Sequence, residues 1–318
     1  MRIALSLLLA FFLLGEAAGQ AYPSRAVRML VGFTPGGGTD INARLLAPKL
    51  AEYLGQQFVV ENRPGATTNV ATEIVAKSPP DGYTLLFTTS ALAINASLYK
   101  SLPFDALRDF APISVLSESP NLLVTNQSVP ARSIAELVAL ARSRPGALNY
   151  SSAGAGTTQH LAGELLKLRT RTDIVHVPYK GTAPSLTSVI AGETHFSFAN
   201  IPAILQHVKS GRLRALAVAG AQRSEIMPEV PTMKEAGVAG VEVPVWYALL
   251  APAGTSREIV NLLANAAIKA ARSPDLKQRL LDLGADPVGN TPEAFAKLLR
   301  EEVAKYAEVV KLSGAHPE

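Results

Sequence analysis

The 318-residue chain contains no cysteine. That excludes a disulfide framework, a thiolate zinc site, a cysteine nucleophile and a lipid-modified cysteine anchor. It leaves an oxidising compartment open, because a protein without thiols is indifferent to redox. Charge is sparse: 30 Lys and Arg against 26 Asp and Glu give a net charge of +4, spread without any dense basic run. Nucleic acid is therefore not an expected partner. A mild positive field suits an anionic solute, and simple solvation explains it as well. Past the first residues, no stretch approaches the ~20 uninterrupted apolar positions of a membrane span.

Several chemical motifs are also missing. Neither glycine-rich segment reads G-x-G-x-x-G, since Ile41 or Asn42 and Gln159 occupy the third glycine position. There is no G-K-[ST], so the lysine and hydroxyl of a nucleotide site are lacking. His160, His176, His195 and His207 make no H-E-x-x-H or other tight ligand spacing, which leaves them as packed or surface histidines. No G-x-S-x-G elbow surrounds Ser151 or Ser152. No catalytic residue, metal or cofactor is expected.

What is present is an ordinary globular composition, 48% hydrophobic, with length for one large or two medium domains. Residues 1–21 differ in kind: Arg2, an apolar run from Ile3 to Leu14, then Ala17, Ala18, Gly19 and Ala21. This pattern predicts a signal peptide cleaved near Gly19 or Ala21, hence export to the periplasm. Its removal takes away Arg2 and Glu16, leaving the net charge unchanged.

From Tyr22 onward strands alternate with helices, which predicts parallel sheets covered on both faces. Strands are expected at Val27–Phe33, Phe58–Glu61, Tyr83–Thr88, Asn121–Thr125, Leu148–Ser152, Ile174–Tyr179, His195–Ala199 and Leu213–Ala219. A helix is expected over Asp40–Leu54, closed by Gly55 and kinked or ended early by Pro48. Ser133 and Glu136 make a capping box for another. Three helices starting near Ser256, Pro274 and Pro292 close the chain, with no strand between them. The fold class is α/β with two βα lobes, and the expected crossings are Asn121–Thr125 and the apolar run Val241–Ala251. Lobe 1 is then discontinuous, residues 22–122 plus 245–318, and lobe 2 is 123–244. Trp246 and Tyr247, in the second crossing, read as core packing.

Each half carries one strand, glycine-rich turn and helix. The first turn is Phe33-Thr34-Pro35-Gly36-Gly37-Gly38-Thr39-Asp40. Glycines let the backbone approach a ligand closely, and the following helix directs free N–H groups and its positive dipole end at the same place. Such an end favours an anion by roughly 0.3–2 kcal/mol. Asp40 would repel an anion, so it is expected to stabilise the loop by accepting backbone N–H groups. Replacing Gly37 by Val is expected to weaken binding and leave the fold intact. The second turn, Ser152-Ala153-Gly154-Ala155-Gly156-Thr157-Thr158, adds hydroxyls, with His160 in the first helical turn and Tyr179 near enough to reach the cleft. Ligands of open α/β sheets bind outside the carboxyl ends of strands, where both turns fall.

In order and coverage, several segments resemble one family: Tyr22-Pro23-Ser24-Arg25, the first glycine turn, Val60-Glu61-Asn62-Arg63-Pro64-Gly65, Pro80-Asp81-Gly82-Tyr83-Thr84, Tyr150-Ser151-Ser152-Ala153-Gly154, His176-Val177-Pro178-Tyr179-Lys180-Gly181 and Leu250-Ala251-Pro252-Ala253-Gly254-Thr255. The mature chain is similar throughout to the substrate-binding proteins of tripartite tricarboxylate transporters, also called the Bug family of periplasmic receptors. The resemblance implies a type II periplasmic-binding-protein fold, two lobes joined by two crossing strands. It implies a carboxylate held by both glycine turns, partly through water. Thr34 to Thr39 and Ser152 to Thr158 carry that role, with Thr88 and Ser90 as further contributors and Asn200 beside them. Relatives carry an Asp where this chain has Ala199, which argues against an amino-acid ligand and for a plain mono- or dicarboxylate. The expected protein is a monomeric receptor that hands a small organic acid to the membrane components of a tripartite transporter. A sensor for a signalling partner and a hydrolytic enzyme on the same scaffold stay open as alternatives.

Overall fold

The computed structural model describes residues 22–317, and the expected signal segment lies outside them. The first part runs β1 (Val27–Val31), α1 (Gly38–Leu54), β2 (Phe58–Asn62), α2 (Asn69–Ala76), β3 (Thr84–Thr89), α3 (Ala91–Leu98) and β4 (Phe110–Ser119). The middle runs β5 (Asn121–Asn126), α4 (Ile134–Ser143), β6 (Asn149–Ser152), α5 (Thr158–Thr170), β7 (Val175–Pro178), α6 (Thr182–Ala191), β8 (Phe196–Asn200), α7 (Ile201–Lys209) and β9 (Leu213–Ala219). The chain then returns through β10 (Val245–Pro252), α8 (Arg257–Arg272), α9 (Pro274–Asp282), β11 (Asp286–Pro287) and α10 (Pro292–Ser313).

Two sheets result, one per lobe: β11-β4-β10-β3-β1-β2 and β7-β6-β8-β5-β9. The alternation predicts parallel sheets, and each sheet is parallel in part with antiparallel strands added. β10 runs antiparallel to β3 and β4, and β5 antiparallel to β8 and β9. Each of these strands arrives from the other sheet and enters beside the carboxyl end of a parallel strand, with Tyr247 opposite Thr89 and Asn121 opposite Asn200. A strand that enters at that end must run backwards. Both passages therefore lie next to the ends from which the glycine turns emerge.

The first sheet buries one face beneath α1, α8 and α9, through Met29, Leu46, Leu263 and Leu280. Its other face meets α2, α3 and α10, through Leu86, Val75, Leu92 and Phe295. This second cluster continues without a break into the other sheet, at Leu123, Tyr150 and Phe196. A smaller cluster seats α6 and α7 on the outer face of that sheet.

Some elements depart from expectation. Pro48 sits inside α1, which continues to Leu54 and ends on a left-handed Gly55. Pro48 is exposed, and so is Arg44 one turn before it, the residue whose carbonyl loses its partner; that carbonyl is placed to turn to water. β4 was not read at all because it contains Pro112; the pairing with β10 shifts register so that Leu249 faces Ser114 and Leu250 faces Pro112, a bulge that accommodates the missing N–H. The passage between sheets is at Pro120, since β5 lies wholly in the second sheet. The return strand starts at Val245. Val241 and Val243 are apolar because they are buried, not because they are extended in a sheet. A two-residue strand, β11, interrupts the C-terminal helices. The capping box holds with one change: Ser133 accepts from Glu136 N, while Glu136 reaches back to the N–H of Arg132.

Candidate functional site

Helices α1, α5, α6 and α7 all begin at carboxyl ends of strands, and their first turns converge on the seam between the sheets. Gly37 caps α1 without any side-chain hydrogen bond. The amides of Gly38, Thr39 and Asp40 have no carbonyl one turn back to accept them. Asp40 is turned away from these amides. Its carboxylate accepts from Gly36 N at 3.0 Å, from Arg44 Nε at 3.0 Å and from Asn62 Nδ2 at 3.0 Å, and Asn62 also donates to Phe33 O. Burial alone would raise its pKa, but Arg44, the Gly36 amide and Asn62 outweigh that and hold it below the usual carboxylate range. The loop thus keeps its own anion occupied and leaves the helix end open.

The second turn satisfies itself more fully. Ala153 N donates to Gln159 Oε1, Gly154 N to Ser152 Oγ, and Gly156 N to His160 Nδ1. Thr157 caps α5, accepting from His160 N and donating to Gly154 O. Thr158 Oγ1 accepts from Asn121 Nδ2, which also donates to Val243 O, so both passages are tied to this turn. The hydroxyls of Ser152 and Thr157 thus shape the loop. Amides of Thr158 and Gln159 remain as the open donors of the α5 end.

His160 stacks on His176 with ring centroids 4.2 Å apart, and Tyr150 stacks on His176 in turn. Burial pushes the His160 pKa down to about 4; burial and then His160 push His176 to about 2. Both rings are neutral at any ordinary pH. His176 Nε2 lies 2.7 Å from Ser152 Oγ, a serine–histidine contact invisible in the sequence.

The sheets meet around these turns. Thr34 N donates to Lys180 O at 3.3 Å. Gly38 packs on Asn200, Gly154 on Thr67, and Gly156 on Asn95 and Leu98, each across the seam. Between them lies a cavity of about 320 Å³ lined by Gly32, Phe33, 65–67, Tyr99, 153–155 and 178–180. Lys180 is its one charged side chain; no carboxylate is among the lining residues. A second cavity, about 430 Å³, lies at the passages and is lined by Glu118, Glu225, Glu242 and Asp286 with Arg223. It has the wrong sign for an anion, and Arg223 is already paired with Glu235.

Of the residues expected from the sequence, Phe33, Gly154 and Tyr179 line the first cavity, and Thr34, Gly36, Gly37 and Gly38 border the seam. Thr34 and Thr88 each bury a hydroxyl without a partner among the described residues. Ser90 instead accepts from Trp246 N and fastens β3 to β10, and Asn200 caps α7 through Ala203 N. Sequence reasoning missed Asn62, Lys180, and the run Ala66, Thr67, Thr68, all three at positive φ. Such left-handed non-glycine residues cost of order 1 kcal/mol each and cluster at functional sites. Asn95 Nδ2 holds this run by donating to Thr67 O at 2.8 Å. Pro64-Gly65 was the one available signal for a turn there.

Among the described residues no group of three or more His, Asp or Glu could hold a metal, and no helix is long and apolar enough to cross a membrane.

Comparison with known proteins gives one consistent result. The model of the family described as "Tripartite tricarboxylate transporter family receptor" matches residues 42–314. Protein BugT of Bordetella pertussis is 39% identical over 300 residues, 94% of this chain and 92% of that protein. Among solved structures, Rpa4515 of R. palustris with adipate has a TM-score of 0.91 at 38% identity, covering 93% of this chain and 100% of that one. MatC of Rhodopseudomonas palustris with bound malate has a TM-score of 0.87 at 33% identity, covering 91% and 100%.

Proposed function

Because this chain belongs to the tripartite tricarboxylate transporter receptor family, a family of periplasmic solute-binding proteins, we propose that it captures a small organic carboxylate between its lobes and delivers it to a membrane transporter. It is exported, with the signal peptide removed near Gly19 or Ala21, and works as a monomer without catalysis. The lobes are residues 22–122 with 245–318, and 123–244. The carboxylate sits against the turn from Thr34 to Thr39 and the turn from Ser152 to Thr158.

One observation carries the reading: the turns that lead into two helix ends with open amides, α1 and α5, supply Phe33 and 153–155 to the wall of a cavity whose only charged lining side chain is a lysine. A desolvated anion is what such a set of donors accepts. Adipate and malate, the acids named for two similar structures, fit that requirement. Ala199 in β8 supplies no carboxylate for an amino group, which favours plain mono- or dicarboxylates over amino acids.

The Ser152–His176 contact favours a second reading, hydrolysis. Two facts weigh against it. Ser152 is completely buried, and a histidine pushed down to about 2 is far too weak a base for efficient proton abstraction near neutrality.

A thermal-shift series with adipate, malate, monocarboxylates and amino acids tests the proposal. An acid at a hundredfold its Kd should add about 2.7 kcal/mol of stability. No stabilisation by any acid would defeat the receptor reading, and turnover of a stabilising compound would revive the enzymatic one.

A further inference from the structure

Tyr247 stands on β10, the strand by which the chain re-enters the first sheet. Its side chain is completely buried, yet its hydroxyl has no hydrogen-bond partner among the described residues. Leaving a buried donor unmade is costly enough that native proteins rarely do so without a reason. The place where this hydroxyl lies gives one. A Cβ on Gly38, the first residue of α1, would stand 2.6 Å from Tyr247 Oη and would collide with Asn200 Oδ1 of the opposite lobe. The phenol oxygen is thus packed against the open first turn of α1, which only a residue without a side chain allows.

The amides that open that turn are donors, and the acceptor beside them, Asn200 Oδ1, is taken up by Ala203 N. The amides of Gly38, Thr39 and Asp40 lack acceptors, and the nearest carboxylate, Asp40, is engaged by Gly36, Arg44 and Asn62. Burial drives the Tyr247 pKa far upward, so the phenol keeps its proton at every working pH. A buried O–H beside three open N–H groups has one common partner, an oxyanion.

We propose that Tyr247 is a ligand-binding residue: its hydroxyl donates to the carboxylate oxygen held at the N-terminus of α1. This rests on the receptor reading above. Its added content is that the passage strand itself reads the ligand, so that occupancy is felt at the hinge as well as in the two turns. Gly38 is the residue that admits the phenol and Asn200 to the same point.

Tyr247→Phe removes the hydroxyl and keeps the ring. Calorimetric titration with adipate, on wild type first and then the variant, is paired with melting curves without ligand. The expected result is a divergence: unliganded melting temperature equal or higher, because an unsatisfied buried group is gone, and adipate affinity lower by roughly tenfold to a hundredfold, as for loss of a bond to a charged group. Wild-type affinity in the variant overturns the proposal and leaves the receptor reading standing. A lower unliganded melting temperature overturns it too, by showing that the hydroxyl has a partner within the protein. If adipate, malate and the monocarboxylates all fail to bind the wild type, both fall together, and those silent wild-type titrations identify that case.

Discussion

His160 and His176 show how much a single contact changes the meaning of a residue. In sequence they are histidines without a motif; folded, they are stacked and neutral, His160 buried and His176 partly so. Their pKa values lie below the ordinary value of about 6.5, so the unfolded chain takes up protons that the folded one refuses. The sign is fixed by that difference: stability is complete above pH 6.5 and falls as pH drops toward 4, by about 1.4 kcal/mol per pH unit for each ring. Urea midpoints at pH 7, 6 and 5 should fall in sequence, and His176→Gln should flatten the decline. A decline as steep in the variant as in the wild type would mean that the pair is not the source. The two glycine turns and the inward role of Asp40 were legible because a strand, a tight turn and a helix are neighbours in sequence. Asn62, Thr67 and Tyr247 were not legible. Asn62 meets Asp40 across 22 positions, and Tyr247 meets Gly38 across the whole second lobe.

At the scale of elements, the helix ends decide what the seam can hold, and the first turn of α1 is closely packed. From sequence, Gly37 is the residue expected to control approach. A Cβ there would stand 3.5 Å from Thr182 Cβ, an ordinary contact, whereas at Gly38 it meets both Tyr247 and Asn200. Helix propensity favours Ala over Gly by about 1 kcal/mol in a helix interior, and by less at this first position. Asn200 belongs to the other lobe, so that collision acts only when the lobes are together, while the phenol of Tyr247 must yield in either state. The variant is therefore expected to stay within about 1 kcal/mol of wild-type stability without ligand and to lose adipate affinity by roughly tenfold or more, read by calorimetry. Full affinity would mean that α1 does not close on Asn200. Element prediction succeeded where periodicity and punctuation agreed, as in β9 and the three C-terminal helices. It failed at α3, an eight-residue helix with almost no polar face, at α7, whose opening Asn200-Ile201-Pro202 merges with β8, and at β4, where a proline hid a strand that a bulge makes tolerable.

For the whole molecule, the two lobes are joined at two passages and also touch directly through Thr34 with Lys180, Gly38 with Asn200, Gly156 with Asn95, and Gly284 with Ile201. These are the contacts that the proposed clamp would make when shut. They are single approaches of small residues, two of them to polar side chains, Asn200 and Asn95, and one to the apolar Ile201. Closure of this kind needs a ligand bridging both turns to be favoured, since only a difference in affinity between open and closed forms can move the equilibrium. The apolar core that runs unbroken from Leu86 and Phe295 to Leu123, Tyr150 and Phe196 joins the two lobes on that side and resists separation there, so opening is expected to pivot about it. Small-angle scattering should therefore show a radius of gyration that shrinks when adipate saturates the protein, toward the ~19 Å of a compact chain of about 300 residues. The same titration with Gly38→Ala should shrink less at equal occupancy. An unchanged radius while calorimetry reports bound acid would mean that ligand enters a clamp already shut, and that the seam contacts do not move.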